Sequence, residues 1–436
     1  MAMKVPPPPP PPPPRGGRPP PPPPLGAKHG TPAPPGYYPR VPPTPHPPPA
    51  APARPNLLSA TNYVPSKRVD FVCPFCMRGI YTGDLLYLCK ACKRTFSEAD
   101  AQKEGLGRVV KKQYYHCNSS ITGNRVCPNC KLHAEQIGHG IDELRVLPSD
   151  VYDVRDEFRL CMTGYSRSGK TQYITQLMDF LTKNSLPGID STFFLDTKTK
   201  QIKDLIRHRL FVGGVMPNTP SGYLDPLLFD IRRGKRSYVS VFYDIAGEDF
   251  AGLHDTMATR CIWTSNNIIL VIDPTTLPGV QDHPRVIPFK YNVEDGTASG
   301  KASDGEVVEP LNSYLVFIRD NQPKWEKYLK HVNMAVVFPK MDLFYGDYDF
   351  PQILKDESSH ILSNRFDIRE AEAVTQAMSS WLREKEGGIL VQTLSSFPNA
   401  RLFGLSSGSD DLSRKSVTNR LLDPYLWLLY QNGILQ

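Results

Sequence analysis

Gly164-Tyr165-Ser166-Arg167-Ser168-Gly169-Lys170-Thr171 stands directly after the run Phe158-Arg159-Leu160-Cys161-Met162 and directly before the helix-like stretch Gln172 to Thr182. A strand, a glycine-rich turn and a helix N-terminus in that order make a phosphate cradle, because turn N–H groups and the helix dipole both favour an anion. Gly164 and Gly169 allow the chain to turn tightly, and Lys170 sets a compact cation between β- and γ-phosphates. Thr171 offers a hydroxyl to Mg²⁺, while Tyr165, Ser166, Arg167, Ser168 and Gln172 complete the phosphate-binding set.

Working outward, strand and helix signals alternate over 150–436. This predicts an α/β domain: a P-loop NTPase with a mostly parallel sheet. Arg159 to Thr163 is its first strand and Gln172 to Thr182 its first helix. Pro226 to Arg232 and Ser237 to Tyr243 flank the turn Arg233-Gly234-Lys235-Arg236 and predict an antiparallel hairpin. The apolar runs Asn267 to Ile272 and Asn333 to Phe338 read as strands covered on both faces, with Arg401 to Leu405 as the last strand. Helices are expected over Ala251 to Thr264, Leu311 to Lys330 and Ile368 to Lys385, and an insertion loop over Val280 to Glu309.

Three further segments extend the phosphate site. Asp244 ends a strand and can hold Mg²⁺ through water, while Gly247 offers an N–H to a γ-phosphate. Asp342, in Phe338-Pro339-Lys340-Met341-Asp342, can accept from guanine N1–H and N2–H₂, a donor pair adenine lacks. The Lys340 stem lies along the base. In Leu405-Ser406-Ser407-Gly408 a backbone N–H of Ser406 or Ser407 can meet guanine O6.

In this order the segments resemble the small-GTPase family, which implies a Ras-like fold, GTP and GDP as ligands, Mg²⁺ as cofactor and hydrolysis of GTP. Two letters depart from it. Pro339 replaces the usual Asn or Thr, removing one polar tether between base loop and P-loop. Glu248 stands where Ras-like proteins carry the Gln that orients the attacking water. The pattern G-x-x-R-x-G-K resembles guanylate-binding proteins, which implies Arg167 as an arginine finger acting in cis; a solvent-facing Arg on an exposed turn is the other reading. Arg167, Glu248 and Lys170 form the catalytic set. Thr219 is the candidate Mg²⁺ ligand of the first switch, with Thr192, Thr197 and Thr199 as alternatives. Two other functions stay open: an ATPase in which Asp342 is a helix N-cap, and a nucleotide-bound scaffold with negligible turnover.

Residues 67–149 carry a second chemistry. Cys73-x-x-Cys76 and Cys89-x-x-Cys92, twelve residues apart, have the spacing of a zinc ribbon in which four thiolates close a tetrahedron. His116-Cys117 and Cys127-Pro128-Asn129-Cys130, with His133 beyond, complete a second Zn²⁺ site, either in sequence or cross-braced with the first set. Cys161 and Cys261 lie in apolar segments and read as plain core residues. The zone holds thirteen Lys and Arg against eight acids, an excess that permits a nucleic-acid surface or a protein-docking patch.

Residues 1–66 are the remaining zone, a disordered proline-rich tail with unbroken runs Pro6 to Pro14 and Pro19 to Pro24. Its six cations and absent acids supply most of the net charge of +7, so the charge is a poor argument for nucleic acid. No transmembrane stretch or secretory signal is read, which predicts a cytoplasmic protein whose nine cysteines are thiols or metal ligands rather than disulfides.

The combination of a cysteine ribbon ending in Cys127-Pro128-Asn129-Cys130, Ser168 to Ile174, Phe242 to Asp249, Val271-Ile272-Asp273-Pro274 and Leu422 to Leu429 is similar to bacterial TRAFAC-class "double-GTPase" proteins with N-terminal zinc ribbons. That resemblance covers about 70–436 and implies guanine over adenine, a second GTPase as partner, and a setting in multi-gene conflict and defence loci.

Overall fold

β1 (Glu157–Gly164) is the strand from which the rest of the architecture is laid out, and its residues Phe158 to Gly164 are all buried. In this computed structural model, residues 69–103, 107–108, 113–136, 145–153, 156–164, 168–183, 186–197, 199–202, 204, 226–245, 256–286, 304–407 and 418–436 are described. They belong to one compact unit, Asn62–Gln436.

From β1 the chain passes through α1 (Lys170–Lys183), then β2 (Ser191–Phe194), β3 (Leu227–Arg233) and β4 (Arg236–Asp244). It continues through α2 (Thr256–Thr264), β5 (Asn267–Val271), α3 (Asp304–Asn321), β6 (Asn333–Phe338), α4 (Ile368–Glu384), β7 (Ala400–Gly404) and α5 (Asp423–Gln431). The spatial order is β2-β3-β4-β1-β5-β6-β7. β2 and β3 pair antiparallel, as do β3 and β4, and the other neighbours are parallel. The expected mixed α/β architecture with a mostly parallel sheet is therefore present.

Local chemistry accounts for these elements. Every residue of β5 and β6 is buried, as continuous apolar runs require when helices cover both faces. In α1, Tyr173, Ile174, Leu177, Met178 and Leu181 form one buried stripe at helical spacing. The β3–β4 hairpin closes at Arg233↔Arg236, with Gly234 at φ +58°, a left-handed conformation that glycine adopts without steric cost. In α5, Asp423 through Leu429 are all buried, so the C-terminal Leu-Trp-Leu-Leu segment is core.

Several elements differ from expectation. The single helix predicted over Leu311 to Lys330 is two, α3 and a short helix Trp325–Leu329. Pro323 lies between them and has no N–H with which to continue the first. α3 begins at Asp304, inside the stretch read as a loop to Glu309; 287–303 lie outside the described residues. β2 escaped the reading because four residues are too few to show a period. Residues 251–255 of the helix predicted over Ala251 to Thr264 are also outside the described residues.

Cys161 on β1 and Cys261 on α2 are joined in a disulfide with Cα atoms 6.8 Å apart. This corrects the expectation of two plain core thiols in a chain without disulfides. Both residues are fully buried, and the packing of α2 on β1 that buries them also sets their sulfurs together. Residues separated by 100 positions carry no sequence signal of such a meeting.

The cysteine-rich zone is a set of short hairpins. Phe71–Val72 pairs with Gly79–Ile80, Leu86–Leu88 with Thr95–Phe96, and Gln113–His116 with Ser119–Ser120. Arg125–Val126 adds to Leu86–Leu88 and leads into the helix Pro128–Gln136. Phe71, Cys73, Met77, Ile80, Leu85, Cys127 and Leu147 share one apolar core with the central sheet. Tyr87, Cys89, Phe96, Ala101, Tyr114 and Ile121 form a separate small core.

Candidate functional site

β1, β4 and β5 end together. Asp244 pairs with Met162, and Gly164 with Val271, so the turn after β1 opens at the carboxyl ends of its two parallel neighbours. This is where open α/β sheets bind ligands. Gly164 is required there by close approach: a Cβ on it would lie 2.4 Å from the Val271 carbonyl oxygen. Gly169 has φ +91°, the region that disfavours side chains, and a Cβ there would meet Pro339 Cγ at 3.1 Å. Pro339 therefore faces the P-loop directly, as an apolar contact in the place of the polar tether that an Asn or Thr would make.

Lys170 is 6% exposed. Its Nζ donates to the Ile245 carbonyl at 2.5 Å and pairs with Asp244 Oδ1 at 3.1 Å. Burying an ammonium is costly unless it is paired and hydrogen-bonded, and one carboxylate and one carbonyl oxygen meet that need here. Ser168 is 2% exposed, and its buried hydroxyl has no hydrogen-bond partner among the described residues. A buried donor of this kind, beside a buried cation and a helix N-terminus, suits a phosphate oxygen. Thr171 follows Lys170 in the first turn of α1, and Asp244 ends β4 in contact with the Lys170 ammonium. A hard oxygen donor set of hydroxyl and carboxylate fits Mg²⁺.

The segments that carry Asp342 and Ser406 follow β6 and β7. Lys340 adopts φ +64° and precedes the short helix Met341–Phe344 that carries Asp342. Asp342 Oδ1 accepts from Ser406 Oγ at 2.9 Å, so the two segments selected from sequence do meet. The helix has Lys340 at its cap and no capping side chain, which removes the reading of Asp342 as an N-cap. Lys340 Nζ lies 2.6 Å from Asp273 Oδ2, and Asp273 Oδ1 accepts from Thr275 N and Oγ1. Asp273 was missed as a site residue; its position at the mouth of β5, next to the P-loop strand, is the signal that could have found it.

The Gln172 side chain reaches the segment after β7. Its Nε2 donates to the Ser407 carbonyl at 3.2 Å, and Gln176 Nε2 donates to the same oxygen. Two amides on α1 thus hold the segment after β7 to this helix. Ser406 and Ser407 also form a short strand with Thr418–Asn419. Tyr165, Ser166, Arg167, Thr219, Gly247 and Glu248 lie outside the described residues. Of the alternatives to Thr219, Thr199 is fully buried and accepts from Leu228 N at 3.0 Å, while Thr192 sits on β2, three strands from β1.

The cysteines gather into two groups, in each of which the candidate ligand atoms lie within 4.8 Å of one another. One is Cys73, Cys76, Cys127 and Cys130; the other is Cys89, Cys92, His116 and Cys117. This partition is nested and differs from both orders considered: Cys73 and Cys76 do not close a site with Cys89 and Cys92. The reason is topological, since Arg125–Val126 pairs back on Leu86–Leu88 and returns Cys127 to the first knuckle. Each Cys-x-x-Cys is a tight knuckle, in which Met77 and Lys93, at φ +56° and +61°, donate N–H to the Cys73 and Cys89 carbonyls at 2.8 Å. Sulfur separations of 3.8 Å for Cys73 to Cys130 and 3.7 Å for Cys76 to Cys127 match the edge of about 3.8 Å that a tetrahedron with 2.3 Å Zn–S bonds requires. In the second group His116 Nδ1 lies 3.3 Å from Cys92 Sγ and 3.1 Å from Cys117 Sγ. The His133 side chain is outside the described residues.

The first group is tied to the sheet. Arg159 on β1 is 6% exposed and donates Nη2 to the Val72 carbonyl and Nη1 to Tyr243 Oη at 3.1 Å. Tyr243, fully buried on β4, donates its hydroxyl to the Pro74 carbonyl at 3.0 Å. Burial raises the Tyr243 hydroxyl above its ordinary range, which keeps it a donor at neutral pH.

Comparison with known proteins adds little. No protein-family model matches the chain, and no curated protein matches it. Among solved structures it is similar to the Arl6 BBS3 small GTPase from Trypanosoma brucei with bound nucleotide analogue GppNp, at 13% identity and a TM-score of 0.30 over 64% of this chain and 99% of that one. Among the described residues, no helix is long and apolar enough to cross a membrane.

Proposed function

We propose that the chain is a GTP-binding and GTP-hydrolysing switch with two structural zinc centres. The observation that carries this reading is the meeting of base loop and phosphate loop. Asp342 is held by Ser406, Gly169 abuts Pro339 and Lys340, and Lys170 lies buried against Asp244. A carboxylate fixed in that place accepts two donors from guanine, whereas adenine offers neither N1–H nor N2–H₂.

In this reading Lys170, Ser168 and the backbone after β1 hold the β- and γ-phosphates, with Lys170 leaving Asp244 for the nucleotide. Thr171 and Asp244 would hold Mg²⁺, with Thr219 joining from the first switch. The ion supplies neutralisation of phosphate charge. Gly247 reports the γ-phosphate, Glu248 orients water, and Arg167 in cis stabilises charge on the transferring phosphoryl group. Zinc in both cysteine groups orders hairpins too small to fold on their own cores. A second GTPase as partner and a role in a bacterial conflict system rest only on the sequence resemblance.

Asp342→Asn is the test. Losing an acceptor for two donors, at about 1.5–3 kcal/mol for a hydrogen bond to a charged group, should weaken GTP at least tenfold. XTP, which carries an oxygen where guanine carries its amino group, should gain. Equal GTP affinity in wild type and variant would overturn the guanine assignment. Phosphate release from GTP by the wild-type chain, abolished in Lys170→Ala, tests turnover.

A further inference from the structure

The two cysteine groups are unequal in their surroundings. Cys73 and Cys127 are buried within the core that also contains β1, β4 and β5, whereas Cys89 belongs to a separate small cluster and Cys92 and Cys117 are exposed. The first group also has polar contact with the sheet. The Cys73–Cys76 knuckle encloses Pro74, whose carbonyl takes the Tyr243 hydroxyl, and the Val72 carbonyl just before it takes Arg159. Arg159 then closes the set by donating to Tyr243, and Glu157 Oε2 accepts from Arg159 Nε at 2.9 Å.

Tyr243 is followed by Asp244, the residue paired with Lys170. One buried side chain and one peptide unit therefore separate the first knuckle from the crevice. A carbonyl held by a metal-closed turn is a fixed acceptor; the same carbonyl on an open chain of a few residues is not. Cys73 and Cys76 flank Pro74, so a metal held by them with Cys127 and Cys130 would fix the carbonyl on which the Tyr243 hydroxyl rests.

We propose that the first metal centre is an internal part of the nucleotide site, with Tyr243 and Arg159 as positioning residues that hold Asp244 against Lys170, while the second centre is dispensable for nucleotide binding. The inference rests on the reading of the crevice as a nucleotide site, but its first readout does not need nucleotide.

The experiment uses the full chain. Zinc content, amide exchange over β4 and Mg²⁺-dependent GTP affinity are measured for wild type, Cys130→Ser, Cys92→Ser and Tyr243→Phe. Cys130→Ser should lose one zinc per chain and speed amide exchange at 241–245 in the absence of nucleotide. Cys92→Ser should lose one zinc and leave exchange in that stretch unchanged. Tyr243→Phe keeps every metal ligand, so it guards against a Cys130 variant that fails to fold. It should keep both zinc ions, speed exchange at the same amides and lower Mg²⁺-dependent GTP affinity about threefold to tenfold, the worth of one hydrogen bond. Unchanged exchange and affinity in Tyr243→Phe would overturn the coupling, as would equal effects of Cys92→Ser and Cys130→Ser. A wild-type chain that shows the exchange pattern but binds no GTP would overturn the nucleotide reading while leaving the link between the first centre and β4 standing.

Discussion

Lys170 Nζ stands 3.1 Å from Asp244 Oδ1, across the mouth of two adjacent parallel strands. The pair gives each residue a partner before any ligand arrives, and it sets a competition. A phosphate must take the ammonium from the carboxylate, and a cation must take the carboxylate from the ammonium. Asp244→Asn removes the competing charge, so GTP affinity in EDTA should rise severalfold while the gain on adding Mg²⁺ disappears. Nucleotide titrations with and without Mg²⁺ read both effects. A variant that keeps its full Mg²⁺ gain would show that Asp244 takes no part in holding the ion.

The Ser406 hydroxyl fixes one oxygen of Asp342 at 2.9 Å, and Ser406 itself is fully buried. Ser406→Ala leaves that carboxylate free to rotate and costs about 0.5–1.5 kcal/mol of positioning. GTP affinity should fall about twofold to tenfold, with no change for ATP. Equal losses for both nucleotides would assign Ser406 to stability instead of base recognition.

The placement of these residues at strand ends was legible in the sequence because each follows an unmistakable apolar run. Asp244 comes after Val239 to Tyr243, Asp342 after Met334 to Phe338, and Ser406 after Leu402 to Leu405. A residue just past a parallel strand lies at the ligand edge wherever the strand falls in the sheet. What strand logic does not carry is which separate segments meet. Cys-x-x-Cys spacing fixes each knuckle, but the partition of knuckles depends on Arg125–Val126 pairing with Leu86–Leu88, two-residue and three-residue strands without a period to read. Gln172 reads as part of the phosphate-binding set, yet its amide reaches Ser407, 235 positions away. Tyr243 and Arg159 looked like strand residues and are, with polar ends that find the first knuckle.

The disulfide gives a direct chemical test. Seven cysteines are free and two are joined, so denatured, metal-free chain should titrate two more thiols after reduction than before. Cys261→Ser should lower unfolding free energy by about 2–4 kcal/mol, as expected for removal of a cross-link closing a long loop. Nine thiols without reduction would show that Cys161 and Cys261 are packed but not bonded.

Arg420 joins two acidic side chains in the interior. It is 2% exposed and donates to Glu370 Oε1 at 2.8 Å, to Asp423 Oδ2 at 2.8 Å and to the Ile353 carbonyl at 2.9 Å, tying the start of α5 to α4. Burial alone would raise the Glu370 carboxyl, but hydrogen bonds from Ser359 and Arg420 outweigh it and hold it below the ordinary glutamate range. A carboxyl lowered in the folded state adds stability that is complete above its unfolded value and is lost as pH falls through its folded value. Glu370→Gln should therefore be less stable than wild type at pH 7, by about 1–3 kcal/mol. The gap should close as pH falls below the ordinary glutamate range, because the wild-type carboxylate is then protonated as well. Urea unfolding at neutral and acid pH measures it, and a gap that stays constant to the lowest pH at which the chain folds would mean that the Glu370 charge contributes nothing to holding α4 and α5 together.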